Sequence, residues 1–268
     1  MVSSPLKSLW QASLGLLVPA VVLVVWQVVG SMPHMAGILP TPLQVVAGWN
    51  TWMFGTAGMG LNPYSGTWLS NVQYSSMRVA QGFTLAALVG VPIGLLIGWS
   101  RLFMHMVDPL IQSLRPIPIT AWLPFSIALF GIRDMGSIFL IFLGGFYAIV
   151  VNTTQGARDV ERNLMRAAMM MGASRRQLLY RVVLPAATPS IFTGLRIGLG
   201  ISWTAVIVSE MVAVKSGLGY VLWDAYYVGR MDIVLADMVS IGMMGFLSDR
   251  LIVFIERRVL VWRILQSH

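Results

Sequence analysis

The sequence predicts an all-α, polytopic membrane protein with about six transmembrane helices, and three observations carry that expectation. Of 268 residues, 57% are hydrophobic and only 10% charged, with a mean hydropathy of +0.76. A soluble domain carries about 25% charged residues because it has a wide wet surface to cover, so a water-soluble globule is excluded. Apolar runs near the roughly 20 residues that cross a bilayer as helix recur at 11–30, 76–99, 106–131, 136–154, 190–213 and 233–254. Lys and Arg also gather in alternate connecting segments, the pattern that marks the cytoplasmic side of a membrane protein.

The excess of 18 Lys and Arg over 10 Asp and Glu, a formal charge of +8, therefore reads as topology and not as a nucleic-acid footprint. The chain has no cysteine, which removes disulfides, thiolate metal sites and cysteine nucleophiles. His34, His105 and His268 are far apart and lack metal-ligand spacing. Neither a bound metal nor another cofactor is expected.

The first run, 11–30, follows Lys7 but exceeds the roughly 7–15 residues of a signal-peptide core, and no small-residue cleavage site follows it. It is read as the first span. With the N-terminus inside, the inner segments hold Lys7, Arg101, Arg158, Arg162, Arg166, Arg175, Arg176, Arg181, Arg250, Arg257, Arg258 and Arg263. The outer segments hold only Arg133, Lys215 and Arg230. Twelve against three places both termini in the cytoplasm of a cell (inner) membrane protein. The outer segment 31–75 contains no Lys, Arg, Asp or Glu and is rich in Gly, Pro, Asn and Trp, which predicts an interfacial lid.

The second span carries Ala86, Gly90, Gly94 and Gly98 along one face, and the fifth carries Gly194, Gly198 and Ser202. Such stripes let helix backbones approach closely, either within one subunit or across a subunit interface. The third span is the least regular, with Arg115, Pro116, Pro118 and Pro124 inside it, and the sixth carries Asp237 and Asp249 toward its ends.

The largest inner connection, about 155–189, is locally specified. Leu164, Ala168 and Met171 fall at helical spacing, with Arg158, Arg162 and Arg166 on a separate stripe, which predicts a short amphipathic helix. Gly172 suits a left-handed C-cap, and Ser174 with Gln177 forms a capping-box pattern. A second helix through Leu178, Leu179, Val182 and Val183 is expected to end near Pro185, and Thr188-Pro189 to open the fifth span. Pattern alone fits equally a helix lying on lipid headgroups and a helix that docks a protein.

This stretch resembles the EAA loop of ABC-importer permeases, written E-A-A-x3-G-x9-I-x-L-P. Ala167, Ala168, Gly172, Val182, Leu184 and Pro185 fall in the matching places, with Val for Ile, while Arg166 stands where the pattern has Glu. The stretches 115–132 and 194–213 resemble the nitrate/sulfonate/taurine/bicarbonate branch, and the resemblance runs from about Trp68 to Trp262. It implies a single permease domain over 1–268 with the type I ABC importer permease fold. It also implies a coupling helix in the loop about 158–185, with Arg166, Ala167, Ala168, Gly172, Ala173, Val182, Leu184 and Pro185 as coupling residues. The implied partners are ATPase subunits that bind ATP and Mg, a second permease copy or homologue, and a periplasmic or surface solute-binding protein. This chain has no Walker A loop, since neither Lys7 nor Lys215 follows the required glycines. It is therefore expected not to be an enzyme itself.

Candidate pathway residues are the broken or ionisable positions within spans: Arg115, Pro116, Pro118, Trp122, Pro124, Arg196 and Glu210. Broken backbone at membrane depth is tolerated where it is buried in protein or lines a wet cavity, so Pro116 to Pro124 either borders the solute path or is a structural kink. Intramembrane charge costs about 2.5–3.5 kcal/mol at a span centre on insertion scales. Glu210 either neutralises a neighbouring arginine or packs at an outer gate, whereas the arginines could instead line a path for anions. The alternative class, a standalone secondary transporter or channel, requires coupling carboxylates at mid-span and no shaped inner loop.

Overall fold

The computed structural model describes residues 5–35, 37–55 and 63–260, with the side chains of the first helix from Leu17 onward. Among the described residues there is no strand. The helices are α1 (Pro5–Gly30), α2 (Pro42–Phe54), α3 (Trp68–Trp99), α4 (Arg101–Met106), α5 (Asp108–Leu114), α6 (Leu123–Phe130), α7 (Asp134–Arg158), α8 (Arg162–Met170), α9 (Arg175–Leu178), α10 (Leu184–Ala213), α11 (Leu218–Tyr227) and α12 (Met231–Val259). Helices α3, α7, α12 and the continuous stretch Arg175–Ala213 are each long and apolar enough to cross a bilayer. The first expected span lies within α1. Arg263 and the side chain of Lys7, which entered the charge count, and His268, which entered the metal-ligand reading, lie outside the described residues.

The chain packs as two compact units, 1–69 with 221–239 and 70–220 with 240–268. In the first, Thr41 and Gln44 form a capping box that starts α2. Trp26 donates its indole N–H to the Pro40 carbonyl at 3.0 Å. The Tyr64 hydroxyl donates to Asp224 at 2.7 Å, and Trp52 is fully buried. The uncharged segment expected to be a lid thus contains a capped 13-residue helix, because its polar side chains satisfy the helix end that charges would otherwise have to cap.

The second unit is built on α7, which is buried along most of its length between α3 and α10. The small residues of α3 face it: a Cβ added at Gly94 would lie 2.8 Å from the Val150 carbonyl oxygen and 2.7 Å from the Thr153 Cβ. On the other side, a Cβ at Gly198 would lie 3.0 Å from the Gly145 carbonyl oxygen. Ser202 completes that stripe, donating to the Ile141 carbonyl at 3.4 Å. Both small-residue stripes therefore serve packing within the subunit. At the Arg158 end of α7, an ion pair of 2.9 Å to Asp108 ties it to the first turn of α5, with each charge at the helix end its dipole favours.

One of two proline readings needs correction. The third span, expected over 106–131 with its backbone broken at Pro116 to Pro124, is broken between Leu114 and Ile119: the segments Arg101–Leu114 and Ile119–Phe130 meet at 92°. Pro116 and Pro118 supply no amide donors there, so the α-helical ladder cannot pass through. Conversely, Pro185 and Pro189 do not interrupt the chain between α9 and α10. A π-helical turn, Leu179–Val183, precedes Pro185, and the Leu184 amide donates to Leu179, five residues back. The wider turn accommodates the proline ring that would clash with the preceding turn of a regular α-helix. Thr188 does not cap a new helix; its hydroxyl bonds back to the Leu184 carbonyl at 2.8 Å.

Because Gly94 sits against Val150 and Thr153 of α7, Gly94→Leu is expected to overpack the α3–α7 seam and cost about 1–3 kcal/mol. Gly200→Ala, in the interior of α10 where an added Cβ meets nothing within 4 Å, is expected to be neutral or to stabilise by up to about 1 kcal/mol. Thermal unfolding of the detergent-purified proteins measures both.

Candidate functional site

Three features of the second unit stand out. The first is a buried ionic cluster where the start of α7 meets the end of α10. Glu210 is 0% exposed and Arg78 5%. The Arg78 guanidinium meets the Glu210 carboxylate at 2.6 Å and Asp134 at 2.7 Å, and donates to the Ser216 carbonyl at 2.8 Å and hydroxyl at 2.7 Å. Glu210 also accepts from the Ser75 hydroxyl at 2.8 Å and the Gly219 amide at 3.0 Å. Ser75 in turn accepts from the Leu218 amide, and Asn71 from the Gly217 amide. Gly217 has φ +108°, and a Cβ there would collide with the Glu210 carboxylate. The cluster pins α3, α7, α10 and the turn 214–219 together. Of the readings considered for Glu210, the structure contains the neutralised arginine. An open pocket of about 630 Å³ beside it is lined by Arg133 and Lys215 as well as Arg78 and Asp134.

The second feature is the break in the third span. Arg115, Pro116 and Pro118 line a cavity of about 370 Å³ against α7 and α10, together with Ile119, Gly144, Tyr147, Ala148, Val151, Asn152, Ile197 and Ile201. Trp122 and Pro124 lie past it: Pro124 opens α6, and the Trp122 ring packs edge-on against Phe125 and Phe139 at 5.8 and 6.5 Å. Arg196 is likewise elsewhere, paired with Asp249 of α12 at 2.8 Å. So the break gathers three of the seven candidate pathway residues, while Glu210 and Arg196 are committed to carboxylate–arginine pairs. Tyr147 and Asn152 were missed by sequence reasoning. Their signal was present, since Gly144, Ala148, Val151 and Asn152 recur at the spacing of one helix face.

The third feature is the elbow after α7. Helix α8 ends in a Schellman arrangement: the Ala173 amide donates to Ala168 at 3.0 Å and the Gly172 amide to Met169 at 2.9 Å. Gly172 has φ +83°, the left-handed geometry that lets the chain reverse. Ser174 and Gln177 then form the reciprocal capping box, with bonds of 2.8 and 3.4 Å. On α8, Ala168 is buried, whereas Leu164 is 53%, Met170 84% and Met171 82% exposed. Arg166, Ala167 and Gly172 are exposed; Ala173, Val182, Leu184 and Pro185 are half-buried.

Several helices long and apolar enough to cross a bilayer, with one span broken beside a cavity, define a multi-pass membrane protein. Residues 90–261 match the family described as binding-protein-dependent transport system inner membrane component. A putative ABC transporter permease of Methanocaldococcus jannaschii is 40% identical over 91% of this chain and 90% of its own length. A nitrate import permease of Synechocystis is 38% identical (90% and 86%), and a putative aliphatic sulfonates transport permease of Bacillus subtilis 35% (93% and 87%). The fold is shared with the inward-facing MetNI methionine ABC transporter, at a TM-score of 0.65 and 20% identity over 75% of this chain and 99% of that one. The chain belongs to the ABC importer permease family, in the branch that includes these nitrate and sulfonate permeases.

Removing one partner of the buried cluster strands the other charge. Arg78→Met is expected to destabilise by about 3–5 kcal/mol, read as a lowered thermal unfolding midpoint. The double variant Arg78→Met, Glu210→Met is expected to recover part of that loss.

Proposed function

We propose that this permease subunit carries a small anion, of the nitrate, sulfonate or bicarbonate kind, across an inner membrane by alternating access. It works as one of a pair of permease chains, with both termini cytoplasmic, and receives its cargo from a solute-binding protein outside. Separate ATPase subunits bind ATP and Mg and supply the work.

The observation that carries this reading is the elbow. A short amphipathic helix that exposes Leu164 and Met171 on its apolar stripe is poised to bury them against another protein. Its two ends are fixed by backbone and side-chain caps instead of being left to fray, as a part that transmits force requires. Arg166 and Ala167 lie on the accessible side, and the small Ala167 permits close approach. The π turn joins α9 directly to α10, so a push on α8 reaches a spanning helix across only the capped four-residue turn 171–174. The nitrate and sulfonate relatives supply the anion, and the cavity at Arg115 is the part of the path that would hold it.

Reconstituted with its ATPase and binding protein, the complex should take up anion only with ATP. Gly172→Val forces a β-branched residue into φ +83°, and we expect uptake to fall about tenfold or more with membrane insertion unchanged. Arg115→Ala lowers uptake in the same way. Full uptake by the Gly172 variant, or a cysteine at Ala167 that never crosslinks to the ATPase, would remove the elbow from the mechanism.

A further inference from the structure

We infer that the cavity at the break of the third span is a selectivity site for small oxyanions without an ammonium group, and that Tyr147 and Asn152 help Arg115 hold them. This rests on the reading that solute crosses through the second unit.

The lining of the cavity contains one cation, Arg115, and no Asp or Glu. Among the described residues Arg115 has no carboxylate partner, whereas the neighbouring in-span arginines are neutralised, Arg196 by Asp249 and Arg78 by Glu210 and Asp134. An unneutralised guanidinium at the edge of an apolar cavity attracts an anion and offers planar, paired donors to its oxygens. An ammonium group, by contrast, finds no carboxylate there. The cavity size, about 370 Å³, lies at the small end for ligand sites.

Two neutral groups supply direction. The Tyr147 ring packs edge-on against Phe146 at 5.5 Å, which restricts the ring, and Tyr147 is part of the cavity lining. Asn152 spends one amide hydrogen on the Ala148 carbonyl at 2.8 Å, which fixes its amide and leaves the second hydrogen to donate. One charge and two oriented donors against aliphatic walls suit an anion whose charge is spread over several oxygens.

Because the chain contains no cysteine, a single Val151→Cys gives a unique probe inside the cavity. In vesicles holding the assembled importer, its labelling by an anionic methanethiosulfonate (sulfonatoethyl) is compared with that by a cationic one (trimethylammonioethyl), each corrected for reaction with a free thiol. The anionic reagent is expected to react about tenfold faster. Arg115→Gln should abolish that preference, and Arg115→Lys should keep it. Nitrate and methanesulfonate should slow the labelling while taurine, which carries an ammonium, does not. Tyr147→Phe or Asn152→Leu should weaken the protection about tenfold. Equal rates for the two reagents, no reaction with either, equal protection by taurine, or protection unchanged in both variants would overturn the inference. Uptake in the same vesicles separates the two ideas. ATP-driven uptake without the labelling preference sinks the site alone, whereas preference and protection without ATP-driven uptake sink the transport reading and leave the site standing.

Discussion

Everything in the second unit depends on how closely α3 and α10 approach α7. Lipid tails are as apolar as leucine, so helices in a bilayer gain little by hiding apolar surface from their surroundings; they associate through dispersion contact and hydrogen bonds. That favours small residues at the seams. Gly94 lets the Thr153 side chain of α7 sit where a methyl group would be, and Gly198 and Gly145 bring two backbones together on the other side. With α7 held on both flanks, its two ends become fixed points. The ionic cluster occupies one, and the Arg158–Asp108 pair and the elbow occupy the other.

The cluster at the Asp134 end is costly in isolation and workable only as a whole. A lone buried carboxylate or guanidinium is penalised by several kcal/mol, about as much as a good partner returns. Here Glu210 receives a guanidinium, a hydroxyl and a backbone amide, and Arg78 reaches two carboxylates and Ser216. Such an arrangement adds little net stability over an apolar core, but it specifies geometry: the turn 214–219 fits only if Gly217 leaves room for the Glu210 carboxylate. The polar atoms thus determine which conformation of this end is allowed.

Much of this was legible in the sequence, and the parts that were not have a common cause. Span existence followed from apolar length, and the elbow from residues whose capping role is local: Gly172 at φ +83° and Ser174 with Gln177 sit where spacing put them. The small-residue stripes were visible, but whether they met a helix of the same chain required coordinates. The prolines were a guide in one place and misled in the other. Pro116 and Pro118 broke the third span where broken backbone was expected, while Pro185 and Pro189 were absorbed into a helix expected to be two. A proline's local effect, one missing donor and one crowded carbonyl, is the same in each case. What differs is whether the preceding turn can widen, and that is set by what packs around it. Helix α2 lies in the segment read as a lid from its Gly, Pro, Asn and Trp, and α11 lies in an outer connection for which no element was expected, each being too short for a span. Tyr147 and Asn152 escaped because the helix-face spacing they share with Gly144, Ala148 and Val151 shows which residues lie together but not that a cavity lies beside them.

The three arginines lodged in spans show how a bilayer protein sorts charge by use. Arg78 is buried and has two carboxylates, and Arg196 is half-exposed and has one. Each is thereby turned into a strut between helices, with its charge spent inside the fold. Arg115 differs in both sequence and surroundings: it sits where prolines have opened the backbone, it is exposed, and it faces a cavity whose other polar groups are neutral. In a low-dielectric environment an uncompensated guanidinium is tolerable only where water or a counter-charge reaches it. On the function proposed above, the prolines and the arginine act as one device: the break in the helix admits solvent, the solvent permits the charge, and the charge gives the opening its preference for anions.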